Sequence, residues 1–199
     1  MGDMIDLRRR MIASQPHVLS ASGGLVQFTT DLSAPLIVTG SGNITRCGKN
    51  LFDKASVTVG ANIGTDGSVG YSGNSRLTDY IPVNGHAVFW AKTLAGGSAL
   101  RLGLYDANKA WISRQVSSAK VGSYTRLILN NDNVRFVRAD IFVNSEDINT
   151  AMFEIGSSMT TFEEYTGTTV ASGTQIDSLV GLNSLWSDSG EIAVRYWTH

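Results

Sequence analysis

The stretch Leu100-Arg101-Leu102-Gly103-Leu104-Tyr105-Asp106-Ala107-Asn108-Lys109-Ala110-Trp111-Ile112-Ser113-Arg114 decides the fold. Its leucines recur at every second position, the period of a strand that buries one face. Asp106-Ala107-Asn108-Lys109 has turn composition, so residues 110–114 return as the second arm of a hairpin. Upstream, Ala87-Val88-Phe89-Trp90-Ala91 is an apolar β-type run, and residues 124–129 and 134–143 follow downstream. In the last of these, Phe136, Ala139 with Asp140, and Phe142 break the alternation, which predicts a bulge.

Further outward, short β-type runs occupy residues 25–30, 36–39, 44–47, 56–59, 69–71 and 77–83. Thr65-Asp66-Gly67-Ser68 is a hairpin signal, and Pro82 marks an edge or terminating strand. Residues 151–155 and 162–165 close the set. About ten strands at roughly 10-residue spacing, without an alternating helical pattern, argue for a sandwich or barrel. The fold class expected is all-β: a jelly-roll-like antiparallel β-sandwich with a short N-terminal helix and a C-terminal strand extension.

Residues 3–14 read as that helix, with Asp3 as N-cap and Arg8, Arg9 and Arg10 near the end where the helix dipole favours cations. Pro16 stops it. Such a short helix is marginal alone and needs a surface to pack on. The chain divides into a helical arm (1–20), leading strands with a role in oligomerisation (21–49), the β-sandwich (50–167) and a C-terminal part (168–199). In that last part, residues 176–186 read as a short helix or loop and 191–197 as a final strand.

Composition narrows the function. Lys+Arg 16 against Asp+Glu 17 gives a net charge of -1, so electrostatic attraction to nucleic acid or to an anionic membrane is not expected. Gly at 21 and Pro at 3 suit tight turns rather than a Pro-rich stalk. The single cysteine, Cys47, allows neither an intrachain disulfide framework nor a CxxC zinc site. No apolar run approaches the ~20 residues of a membrane span. The opening segment lacks the apolar core of a secretory signal, which is compatible with synthesis in the cytoplasm and release by lysis.

Catalytic patterns are missing. His17, His86 and His199 stand far apart, without metal-ligand spacing. Gly70-Tyr71-Ser72-Gly73 falls short of a nucleophile elbow, and neither a P-loop nor a dinucleotide fingerprint occurs. Glu163 and Glu164 are adjacent, so on a strand they point to opposite faces and cannot form a facing acid–base pair. Asp79 with Glu154 or Asp106 would need the fold to bring them together. No catalytic residue and no cofactor is assigned. Asp53, Asp66, Asp106 and Asn108 offer oxygen ligands for a structural calcium, with Asp106 and Asn108 the metal candidates; their reading as turn formers is the stronger.

The aromatics Tyr71, Tyr80, Trp90, Tyr105 and Trp111 lie in or beside the central hairpins. A pyranose stacks its apolar face on an aromatic ring while nearby polar groups bond its hydroxyls. Phe89 and Trp90 read better as core. Trp111, flanked by Lys109 and Arg114, is the better candidate for an exposed ring, with core packing an equal alternative. The ligand-binding candidates are Trp111, Tyr105, Tyr80, Arg114 and Asn108.

Several segments, in order, resemble prophage-encoded tail and minor structural proteins of gut Firmicutes phages. They are Val26-Gln27-Phe28-Thr29-Thr30-Asp31-Leu32-Ser33-Ala34-Pro35-Leu36, Thr45-Arg46-Cys47-Gly48-Lys49-Asn50-Leu51-Phe52-Asp53, Asp79-Tyr80-Ile81-Pro82-Val83 and Leu104-Tyr105-Asp106-Ala107-Asn108-Lys109. Met152-Phe153-Glu154-Ile155-Gly156, Phe162-Glu163-Glu164-Tyr165 and the segment from Gly181-Leu182-Asn183 to Tyr196-Trp197 complete the series. The chain departs from the pattern between Pro35 and Ile44, where relatives carry a longer insertion, and in its short N-terminal arm. The resemblance implies a virion-associated, carbohydrate-binding-like jelly roll in a phage tail, forming a homo-oligomer of trimeric symmetry with other tail proteins as partners. It also implies synthesis in the bacterial cytoplasm and release by lysis. Its expected function is structural or adhesive, with host cell-surface carbohydrate as ligand. A carbohydrate-active enzyme or its binding module, and a purely architectural subunit, are the alternatives.

Overall fold

A computed structural model describes residues 16–21, 25–27, 36–83, 85–92, 99–117, 119–122, 124–142, 148–176, 184–187 and 192–197. The expected helix at 3–14 lies outside them. Four strands open the chain: β1 (Pro16–Ala21), β2 (Leu25–Gln27), β3 (Leu36–Gly40) and β4 (Ile44–Cys47). Ten follow: β5 (Thr58–Ile63), β6 (Val69–Leu77), β7 (Ile81–Pro82), β8 (His86–Lys92), β9 (Leu100–Tyr105), β10 (Trp111–Ser117), β11 (Lys120–Val121), β12 (Tyr124–Asn130), β13 (Phe136–Phe142) and β14 (Met152–Ile155). Four close it: β15 (Thr168–Val170), β16 (Gln175–Ile176), β17 (Ser184–Ser187) and β18 (Ile192–Trp197). Among the described residues there is no α-helix, and every strand pairing is antiparallel. The protein is an all-β sandwich.

The ten middle strands form its two layers. One sheet runs β10-β9-β13-β6-β5, with β7 also on β13; the other runs β11-β12-β8-β14. The chain passes between layers at β7–β8, β8–β9, β10–β11, β12–β13 and β13–β14, a jelly-roll-like weave. Leu100, Leu102 and Leu104 bury the inner face of β9, and Val137, Ala139 and Ile141 that of β13. Phe89, Ala91, Leu127, Leu129 and Phe153 face them from the second sheet. Phe89 and Phe153 stack with ring centroids 5.3 Å apart. Burying side chains of this size, at roughly 1.5–3 kcal/mol each, is the main stabilising term. Along one margin, Gln115 Nε2 donates to the Ile128 carbonyl (2.7 Å) and Ser117 Oγ to that of Arg126 (2.5 Å), tying β10 to β12 across the layers.

The expected bulge in residues 134–143 is absent: β13 pairs with β9 in unbroken register from Phe136↔Tyr105 to Asp140↔Arg101. Alternation broke there because β13 is buried on both faces, which removes the apolar–polar contrast. The register shifts instead lie between Val59 and Ala61 and between Trp111 and Ser113. Residues 77–83 form two strands, with Thr78–Tyr80 outside both, and 162–165 are not a strand.

The flanking segments interleave. One sheet has the order β1-β18-β3-β16 and the other β15-β4-β17-β2, so strands from both ends of the chain alternate. Trp186, expected in a helix or loop, lies in β17 between β2 and β4. Pro16, expected to end a helix, begins β1; proline is compatible with a first strand position. Val38, Ile44, Leu185, Ile192 and Val194 are buried there, and Ser187 Oγ donates to the Ser41 carbonyl at 2.5 Å.

Just past β4 of this end-to-end unit, one buried residue ties the start of the sandwich segment to residues 151, 153 and 163. Asn50 Oδ1 accepts from the Phe52 and Phe153 amides (2.9 and 3.1 Å), while Nδ2 donates to the Ala151 and Glu163 carbonyls (3.3 and 3.0 Å). All four bonding positions of the amide are satisfied. Glu163 also accepts from the Lys49 amide.

Candidate functional site

The outer face of β9 and β13 is far from bare. By alternation it carries Arg101, Gly103 and Tyr105 on β9, opposite Asp140, Arg138 and Phe136 on β13. The β5–β6 hairpin folds over one half of it. Ala61, Ile63 and Leu77 pack there with Trp111, and the Ile63 carbonyl accepts from Arg114 Nη1 at 2.8 Å. Two glycines permit the approach: a Cβ on Gly103 would lie 2.7 Å from Ile63 Cδ1, and one on Gly67 2.5 Å from the Trp111 ring. Trp111, expected as an exposed ring, is therefore a partly buried packing residue, and Arg114 holds the hairpin down. Beneath it Arg101 Nη1 meets the fully buried Asp140 Oδ2 at 3.1 Å.

The other half of the face carries an aromatic chain. Tyr105 contacts Trp111 edge-on at 5.5 Å and Tyr80 at 4.9 Å, and Tyr80 contacts Phe136 at 6.3 Å. Tyr80 is placed there by Thr78, which exchanges bonds with β13: its amide donates to Ala139 O (2.9 Å) and its Oγ1 accepts from the Ala139 amide (2.8 Å). Three of the sequence candidates, Tyr80, Tyr105 and Trp111, thus touch in series. Burial pushes the Tyr105 phenol above its ordinary value, with the Arg138 guanidinium opposing the rise.

Cations gather at the Tyr80 end. Lys109 Nζ lies 5.2 Å from the Tyr80 ring centroid and 5.2 Å from that of Phe136, and the Arg138 guanidinium lies 5.2 Å from Tyr80. Arg138 Nε donates to the Thr78 carbonyl at 2.9 Å. Asn108, a sequence candidate, sits exposed in the β9–β10 turn beside Lys109. There the Asp106 carboxylate accepts from the Asn108 and Ala110 amides, both at 2.8 Å. That is the turn-forming role read from sequence, and no group of three or more His, Cys, Asp or Glu among the described residues could hold a metal.

On the opposite side of Tyr80 opens a cleft of about 280 Å³, between the sandwich and the end-to-end unit. Asn43, Thr45 and Thr169 line one wall, and Asp53, Ser56, Thr78, Asp79, Tyr80 and Tyr165 the other. Oxygen-bearing side chains and tyrosines facing one hollow are suited to a polyhydroxylated ligand. Sequence reading missed Asp53 and Asp79 as a pair lining one hollow, because the segments around them are brought together only by the folding of the sandwich. Of the carboxylates weighed together from sequence, Asp79 lines this cleft, Asp106 caps its turn, and Glu154 is buried on the other sheet, bonded to Thr160 at 2.7 and 2.8 Å. Glu163 turns to Lys49 and Glu164 to Lys54, so the two do separate.

Phe89 and Trp90 are both buried, as expected; Trp90 lies on the outer face of the second sheet, where Nε1 donates to the Gly156 carbonyl (3.0 Å) and Arg126 lies over the ring. His86 Nε2 bonds Asp132 Oδ1 at 2.5 Å. No family model, no curated protein and no solved structure matches the chain. No helix among the described residues is long and apolar enough to cross a membrane.

Proposed function

We propose that the chain is a phage-tail adhesion module that takes a cell-surface glycan at the Tyr80 ridge and does no chemistry on it. The observation that carries this reading is the cleft of about 280 Å³ beside Tyr80, lined by Asp53, Asp79, Asn43 and Tyr165. Carboxylates and amides of this kind accept and donate to sugar hydroxyls, and the volume is near the lower end of ligand pockets, enough for one or two rings. The ordered resemblance to tail proteins supplies the setting. It also supports assembly as a homo-oligomer of trimeric symmetry with other tail proteins, a state that light scattering reads directly. A glycan array and a cell-wall pull-down test binding: the wild type retains a discrete set of glycans and Asp79→Ala loses them. Empty arrays and no retention on cell walls would overturn the reading.

A second reading has one observation in its favour. Asp53 and Asp79 line the same cleft, as the two carboxylates of a glycoside hydrolase do. Prolonged incubation with the retained oligosaccharides, followed by mass spectrometry, decides it. Shortened products that vanish in Asp79→Asn favour the hydrolase, and intact sugars favour binding alone.

A further inference from the structure

We infer that Lys109 and Arg138 form an anion subsite at the Tyr80 ridge, so that the preferred glycan carries phosphate or carboxylate groups; this rests on the glycan reading above. Both cations lie 5.2 Å from the centroid of one ring, and among the described residues neither has a carboxylate within 4 Å. Two like charges brought to one ring repel, and the ring's negative face offsets only part of that. An anion between them would complete the balance. The nearest acid in the turn, Asp106, is engaged with two amides of its own loop.

Lys109 adds a second, independent observation. Its φ of 60° is the left-handed conformation, and it is the one non-glycine residue among the described residues to adopt it. This is the position after a tight turn where glycine or asparagine is the low-strain choice. A lysine held there against its backbone preference, with its ammonium turned onto the Tyr80 ridge, is the pattern of a residue kept for its charge. Arg138 is fixed by its Nε bond to Thr78 and by a side-chain bond with the Tyr105 phenol, and its remaining N–H groups can meet an oxyanion.

The test uses the whole chain and four probes: a glycerol-phosphate oligomer, an oligogalacturonate, an uncharged oligosaccharide of similar length, and inorganic phosphate. By calorimetry, one charged oligomer binds at least tenfold more tightly than the uncharged one, and the preference shrinks as salt rises. Whichever of the two wins separates phosphate from carboxylate as the recognised group. Lys109→Gly and Arg138→Gln each lose that tenfold preference. Lys109→Gly relieves the turn, so its Tm is unchanged or higher and lost binding cannot be blamed on unfolding. Equal binding of charged and uncharged oligomers, unaltered in Lys109→Gly, overturns the inference while leaving the glycan reading intact. Inorganic phosphate bound by the wild type, lost in Lys109→Gly, with no oligosaccharide bound, would keep the anion site and remove the glycan. No binding of any probe removes both.

Discussion

The sandwich and the end-to-end unit are built from similar strands but in opposite ways. In the sandwich, β5–β6 and β9–β10 are hairpins, and the pairings of β12 and β14 with β8 and of β13 with β6, β7 and β9 stay within the middle of the chain. In the other unit, β1 pairs with β18 and β4 with β15 and β17, so each sheet closes only when the two ends of the chain meet. Distant pairings carry the larger loop-closure entropy, so these sheets are expected to form after the sandwich. The cleft beside Tyr80 lies at the seam between the two units, lined by residues of both. A site at such a seam exists only when both parts are folded.

Substitutions divide accordingly. Phe153→Ala, which removes one of two stacked rings from the sandwich core, is expected to cost about 3–5 kcal/mol and to lower Tm by roughly 10 °C in a thermal melt. A shift of only a degree or two would mean the core is not where stability resides. Asn50→Ala strands two amides and two carbonyls of residues 52, 151, 153 and 163, and an effect of about 2–3 kcal/mol is expected. It loosens the sandwich where the chain enters it, so hydrogen exchange should speed at Leu51, Phe52 and Phe153 before it does in β9.

Ser187→Ala removes the tie between β17 and Ser41 and is expected to cost about 1 kcal/mol. Exchange should then quicken in β3, β4 and β17 while β8, β9 and β13 keep their protection. Uniform quickening throughout the chain would show one cooperative unit instead of two. The smallest effect is on pH. The Tyr105 phenol is raised in the fold, so the unfolded chain releases its proton first; stability from this group is complete below the ordinary tyrosine value near 10 and is lost as pH climbs through the folded one. Chemical denaturation at alkaline pH should show a shallower decline in Tyr105→Phe, with Tyr124, raised by burial as well, accounting for part of what remains.

Legibility in the sequence followed the same division. Leu100, Leu102 and Leu104 announced β9 because one of its faces is sandwich core, and Ile44–Cys47 and Leu100–Tyr105 were read to the residue. β13 misled because Phe136 and Asp140 on its second face are buried beneath other groups, which erases period two. β17 and β1 were hidden for a different reason: what makes them strands is a partner more than 150 residues away, and no local pattern reports that. The site divided likewise. Tyr80, Tyr105 and Trp111 were readable as an aromatic group near one hairpin. Arg138 and Asp53 were not, since only the pairing of β13 with β9 and the packing of distant sandwich segments bring them near Tyr80, and Asp79, though next to Tyr80 in sequence, gave no sign that it lines a hollow.

NMR chemical-shift mapping of the intact chain with the tightest-binding oligosaccharide tests the placement of the site most directly. Expected shifts fall on Thr78, Asp79 and Tyr80, on Asp53, on Asn108 and Lys109 in the β9–β10 turn, and on Arg138. Shifts confined to the exposed Tyr71 hairpin or to the Ile128 face of the second sheet, with Tyr80 and its neighbours unmoved, would contradict it.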